Sequence, residues 1–137
     1  MSASKNLVGL TLDAGALTAY ERGSKQVQVL LRNAWEHDAP VAIPAAALAQ
    51  AWRDGSRQAR LARYLRTGVN GDKGAPTVQP LGYVMARRVG ELCAASGTAD
   101  VVDASVVVVA QMHGHAVVTS DPADLAKLDP SLTLIVV

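Results

Sequence analysis

The feature that most constrains this chain is a pairing that recurs along it: a short apolar run, then a helix that starts at once. "LVGLTLD" (7–13) is rich in residues suited to a buried strand and ends in an acid, and "AGALTAYERG" follows with helical spacing at Leu17 and Tyr20. "HAVVTS" (115–120) repeats the arrangement and runs into "DPADL" (121–125). "PVAI" (40–43) precedes "PAAALAQAWRDG", where Pro44 suits the first helical turn and Gly55 ends the helix. "LTLIVV" (132–137) reads as a final strand. Strands that alternate with helices predict an α/β fold whose mainly parallel sheet is covered on both faces.

The intervening segments supply the helices. "SKQVQVLLRNAWEHD" keeps helical register through Val27, Leu30, Leu31, Ala34 and Trp35. "SRQARLARYLRTG" (56–68) begins with Ser56 as a cap; Leu61, Ala62 and Leu65 share one side of the wheel, and Arg57, Arg60, Arg63 and Arg66 fan over the other. "VNGDKGAP" (69–76) is a polar, Gly-rich loop, and "VQPL" a short extended piece. "GYVMARRVGELCAAS" reads as a helix. "GTADVVDASVVVVAQMHG" reads as a turn and a second helix, its length and leading acids outweighing the β-branched run.

At 137 residues the expectation is a single domain, 1–137, with one core. No apolar run approaches the roughly 20 residues of a membrane span, and "MSASKNLVGL" lacks a secretory-signal pattern. The single cysteine, Cys93, forms no internal disulfide and suits a reducing cytoplasm. A net charge of +1 hides an asymmetry. Residues 50–70 carry five arginines against one acid, Asp54, whereas residues 97–137 carry five aspartates against one lysine, Lys127. A basic strip and an acidic pole on one domain point to a polyanion partner and a cation site. His113 and His115 lack the spaced partners of a zinc site, "SGTAD" lacks a P-loop lysine, and no GxSxG occurs.

Each acid has a structural alternative. Asp13 can cap the helix from Ala14, Asp100 and Asp103 lie where a helix dipole favours negative charge, and Asp121 with Pro122 and Asp124 makes a good helix start. Asp100 and Asp103 share a helix face at a spacing that repels unless a cation intervenes. Asp13 and Asp121 both fall at the carboxyl ends of strands, where open α/β sheets place their crevice. Carboxylates gathered there without Lys or Arg favour Mg²⁺ or Mn²⁺ over zinc.

"LTLDAGALTAYE", "VAIPAAALAQAWR", "GTADVVDASVVVVA" and "AVVTSDPADL" together resemble the PIN-domain nucleases, most closely VapC toxins of toxin–antitoxin pairs. The resemblance runs from about Leu7 to Val137 and rests on the ordered set of four motifs. It implies a flavodoxin-like, three-layer α/β/α sandwich. It further implies an Mg²⁺- or Mn²⁺-dependent endoribonuclease, often dimeric, neutralised by a small VapB-like antitoxin in the active-site groove. Asp13, Asp103 and Asp121 match the family's metal-binding acids. Gln50 stands where most members carry glutamate; its carbonyl can ligate a metal but brings no charge. Asp100 is then the first candidate to compensate and Asp124 the second. Arg57, Arg60 and Arg63 are candidates to grip RNA phosphates, and Ser120 to orient a phosphate oxygen. The alternative is a degenerate PIN-like module that binds RNA or antitoxin without cutting.

Overall fold

A computed structural model describes residues 8–137. Five strands form one sheet: β1 (Leu10–Leu12), β2 (Val41–Pro44), β3 (Thr77–Gln79), β4 (Ala116–Thr119) and β5 (Leu134–Val136), in the order β3-β2-β1-β4-β5. Every pairing is parallel, with Leu10 opposite Val41 on one side and Ala116 on the other. Seven helices connect them: α1 (Ala14–Glu21), α2 (Lys25–Glu36), α3 (Ala45–Ala51), α4 (Ala59–Val69), α5 (Tyr83–Ser96), α6 (Val101–His113) and α7 (Pro122–Leu128). The expected α/β/α sandwich is therefore present, and the "VQPL" piece is a genuine edge strand.

Strand alternation divides the core into two layers. Leu10, Leu12, Val41, Ile43, Ala116 and Val118 pack against Ala16, Leu17, Val27, Leu31 and Leu61 of α1, α2 and α4. From the opposite face, Ala42 and Val117 meet Met85 and Val89 of α5, the Ala104–Ala110 stretch of α6, and Leu125 of α7. All seven residues from Ala104 to Ala110 are buried. This explains how a valine run tolerates a helix: burying each Val contributes roughly 1.5–3 kcal/mol, well above its helix-propensity deficit of at most about 0.7 kcal/mol. Gly114, left-handed at φ 67°, ends the helix.

Several boundaries differ from the sequence reading. Gly23 (φ 87°) and the Ser24 cap break the first helical stretch in two. Pro44 is the last residue of β2 and not the first turn of a helix, and α3 stops at Ala51 instead of reaching Gly55. The Gln58 side chain accepts the N–H groups of Arg53 and Asp54 and donates to the Ala51 carbonyl, so the chain turns there. Ser56 does not cap α4; it bonds to Asp54 within the turn, and Gln58 occupies the cap position. His115 is buried, bonded to Thr11 at 3.0 Å and stacked on His113, so the "MHGH" histidines serve packing at the amino edge of the sheet. No single described helix is long and apolar enough to cross a membrane.

Candidate metal centre

The connections place the acids. β1 leads to β2 through α1 and α2 over one face of the sheet, whereas β4 is reached from β3 through α5 and α6 over the other. The chain therefore diverges between the carboxyl ends of β1 and β4, the position where such sheets form a crevice. Asp13 directly follows β1 and Asp121 lies just beyond β4. α6 must finish near the start of β4, so its first turn, with Asp100 and Asp103, returns to the same edge.

Asp13 is the most enclosed of these acids, at 7% exposure. It caps α1, its Oδ1 accepting the Ala16 N–H at 2.8 Å. Burial raises its pKa, the Thr119 hydroxyl and the Ala16 N–H oppose that shift, and repulsion from Asp121 adds to it. Asp103 is pushed up to about 7, first by burial, then by the charge of Asp100 and a hydrogen bond shared with it, and further by Asp124 and Asp13. Asp100 caps α6 through the Asp103 N–H at 2.9 Å. Asp121 occupies the cap position of α7 without a well-formed side-chain capping bond. Its own N–H donates to the Thr119 hydroxyl at 2.9 Å; its carboxyl meets that of Asp124, which raises its pKa first by hydrogen bonding and then by charge, while the Asp124 backbone N–H and Lys127 oppose the shift.

The acids thus lie within electrostatic reach of one another in two groups. Asp13 and Asp121 flank the strand ends; Asp100, Asp103 and Asp124 line a cavity of about 310 Å³ beside Thr98 and Lys127. As the side chains stand, no three His, Cys, Asp or Glu among the described residues converge tightly enough to hold an ion. The donor set still suits a hard cation: all oxygen, mutually repelling, with Lys127 the one base lining the cavity.

The other candidates divide. Gln50 lies exposed on α3, which packs against both α1 and α6, yet it makes no hydrogen bond to these acids. Asp124 is more closely engaged than its second rank in the sequence reading suggested; its i,i+3 spacing from Asp121 was the available signal. Thr98 and Lys127 were not anticipated, because a loop residue and a lone lysine carry no pattern. Ser120 is exposed and sits against α1, so close to Gly15 that a Cβ there would collide with its hydroxyl. Arg57 lies before α4, exposed, with a loose 3.8 Å ion pair to Asp54, and so leaves the helical arginine face. Arg60 and Arg63 remain on that face, lining a cavity with Arg32 and Lys73.

No family model matches the chain, and no curated protein matches it. Solved structures do. A chain of FitAB bound to an IR36 DNA fragment superposes with a TM-score of 0.64 at 14% identity, over 92% of this chain and 93% of that one. A chain of FitAcB from Neisseria gonorrhoeae gives 0.62 at 16% identity, over 92% and 96%. The fold is PIN-like. At these identities the likeness is one of architecture.

Proposed function

We propose that this chain is a toxin-type endoribonuclease that depends on Mg²⁺ or Mn²⁺, with Asp13, Asp103 and Asp121 as its metal-binding acids. The observation that carries this reading is the crowding of Asp13, Asp100, Asp103, Asp121 and Asp124 at the sheet's switch point, with Asp103 pushed up to about 7. Carboxylates crowded in such a place, with Lys127 as the one base beside them, destabilise the fold unless a further cation joins them. The shared fold with chains of FitAB and FitAcB agrees with this reading.

A bound divalent ion supplies Lewis acidity toward the phosphodiester and activates a water for attack. The protein's part is placement. The Ala16 N–H and the Thr119 hydroxyl hold the Asp13 carboxylate in place at the end of β1, where it would ligate a bound ion. Asp103, in the first turn of the buried helix α6 and lining the acidic cavity, would ligate the ion as a carboxylate, its raised pKa falling back once a cation offsets Asp100 and Asp124. Asp121, its carboxyl beside the side chain and backbone N–H of Asp124 at the start of α7, would ligate the ion from the β4 side. Asp100 and Asp124 complete the shell and offset the missing charge at Gln50. A small antitoxin closing this edge, and pairing of two copies, complete the toxin reading.

The second reading, a non-cutting RNA- or antitoxin-binding module, draws on Gln50, which is exposed and brings no charge. Incubating purified protein with total RNA and Mg²⁺ or Mn²⁺, beside Asp103→Ala, separates the two. Metal-dependent cleavage lost in the variant supports the nuclease; equal cleavage by both proteins removes Asp103 from the site. No cleavage by either, with RNA or antitoxin still bound, leaves the second reading.

A further inference from the structure

The α2–α4 face carries a second constellation, built from residues other than the acids. A cavity of about 510 Å³ opens between α2, α4 and the 70–76 loop, a volume in the range of small-ligand sites. Arg32, Arg60, Arg63 and Lys73 line it, against a single acid, Asp72. None of these four cations is in an ion pair; among the described residues the one ion pair is Arg57–Asp54. Arg60 instead donates weakly to the Tyr20 carbonyl at 3.4 Å. Like charges around a concave wall focus their field into it, and an anion relieves their repulsion.

Much of the remaining lining is aromatic. Tyr20 and Tyr64 pack with ring centroids 5.3 Å apart. Trp35 is 59% exposed, although it follows the helical register that buries Val27, Leu31 and Ala34. Its Nε1–H donates to the Lys73 carbonyl at 2.8 Å, and Gly74 passes so close that a Cβ there would collide with the indole. The ring is therefore held by its polar edge, with much of its surface left open. A fixed, exposed aromatic beside unpaired cations is how proteins hold single-stranded nucleic acid: bases stack and the backbone follows the positive charge.

The groove also connects to the acids. A shallow cleft along α1 is lined by Gly15, Thr18, Arg22, Gly23 and Ser120. At one end Gly23 touches Arg60, whose Nη1 would lie 2.6 Å from a Cβ added there; at the other, Gly15 and Ser120 adjoin Asp13.

We propose that the α2–α4 groove binds a nucleotide-sized segment of single-stranded RNA, with Arg32, Arg60, Arg63 and Lys73 on phosphates and Trp35 against a base. An acidic peptide would answer the charge too, but a stacked base with its phosphate uses the open indole and the cations beside it at once. The identity of the ligand rests on the ribonuclease reading above, and the strand would run from the acid edge along α1 into the groove.

The test is fluorescence anisotropy of a labelled single-stranded RNA of about a dozen nucleotides, titrated in EDTA with the wild type, Arg88→Ala (an exposed cation on α5, outside the groove), Trp35→Leu and the triple variant Arg60→Ala/Arg63→Ala/Lys73→Ala. The triple variant should lose roughly tenfold or more in affinity, Trp35→Leu several-fold, and Arg88→Ala no more than a small fraction of that. Melting temperatures report folding, and if the triple variant melts early, the exposed Arg63→Ala alone carries the test. Wild-type affinity in the groove variants overturns the proposal, as does no RNA binding by the wild type. Displacement of RNA by polyglutamate at equal or lower concentration also overturns it, in favour of an acidic protein partner. Groove-dependent binding without metal-dependent cleavage sinks the nuclease reading and leaves the groove standing; cleavage with groove-independent binding does the reverse.

Discussion

The acidic edge and the basic groove each gather like charge on one small domain, but they are assembled differently. Asp13, Asp100 and Asp121 stand at helix caps, and Asp103 in a first turn, so local chain rules already fix where they lie along the backbone. The groove draws on α1, α2, α4 and a loop, with Tyr20, Trp35, Arg63 and Lys73 scattered along the sequence. The acids also press on one another, and Asp103 shows the strain; the groove cations, carried on exposed side chains, do not share burial. Capping thus puts carboxylates where repulsion can be used to hold a cation. The groove leaves its charge to be answered by a ligand.

The largest effect should separate the two regions outright. Asp103→Ala is expected to lower Mg²⁺- or Mn²⁺-dependent RNA cleavage by about 100-fold or more, at least matching the loss seen when a metal site's outer partners are removed. RNA affinity measured in EDTA should not fall, since removing a carboxylate lessens the repulsion of phosphates at that edge. The groove triple variant loses RNA affinity in EDTA, and cleavage at limiting RNA falls only in proportion to that loss; its log–log salt slope should flatten by about 2 if three phosphate contacts are lost on a single strand. A steep slope retained in that variant would place the phosphate contacts elsewhere.

A pH experiment sharpens the acidic side. Asp103 has its folded pKa raised to about 7, above the ordinary carboxylate value of 3.8, so it holds its proton more tightly when folded. Its favourable contribution is complete below the unfolded value and is lost as pH rises through 7. Metal-free protein should therefore melt at a lower temperature at pH 8 than at pH 6, and Asp103→Asn should shrink that difference. Saturating Mg²⁺ or Mn²⁺ should restore stability at pH 8, by about 2.7 kcal/mol at a hundred times the dissociation constant. An Asp103→Asn protein that gains as much from the ion would exclude Asp103 as a ligand.

Two smaller effects probe single positions. Gly74→Ala, at φ 77° and against the Trp35 indole, should cost about 1–2 kcal/mol of stability and weaken RNA binding in step with Trp35→Leu. Gln50→Glu should tighten divalent-ion binding by a few-fold, read by calorimetry. No change would mean that exposed Gln50 lies outside the shell and that Asp100 and Asp124 suffice.

Much of the fold was legible because strand and helix segments differ in period, and the acids that end the strands also start the helices. The errors arose where side chains replaced the expected punctuation. Gln58 folds back on Arg53 and Asp54 and displaces Ser56 as the start of α4, which moves Arg57 off the arginine face. Asp121 does stand at the start of α7, but its carboxyl also meets that of Asp124, one turn on, which raises its pKa.

By itself the chain determined the alternation of elements, the parallel sheet and the position of each acid at a strand end or helix start, since these follow from local periodicity and capping. Tertiary structure alone decided which of these local pairs share an environment: Asp103 with Asp124 and Asp13, and Asp13 with Asp121. It also decided that Arg32, Arg60, Arg63 and Lys73 surround one cavity with Trp35 standing open beside them. The reason is physical: capping and periodicity act over a few residues, whereas burial and charge repulsion depend on which elements the sheet order brings together.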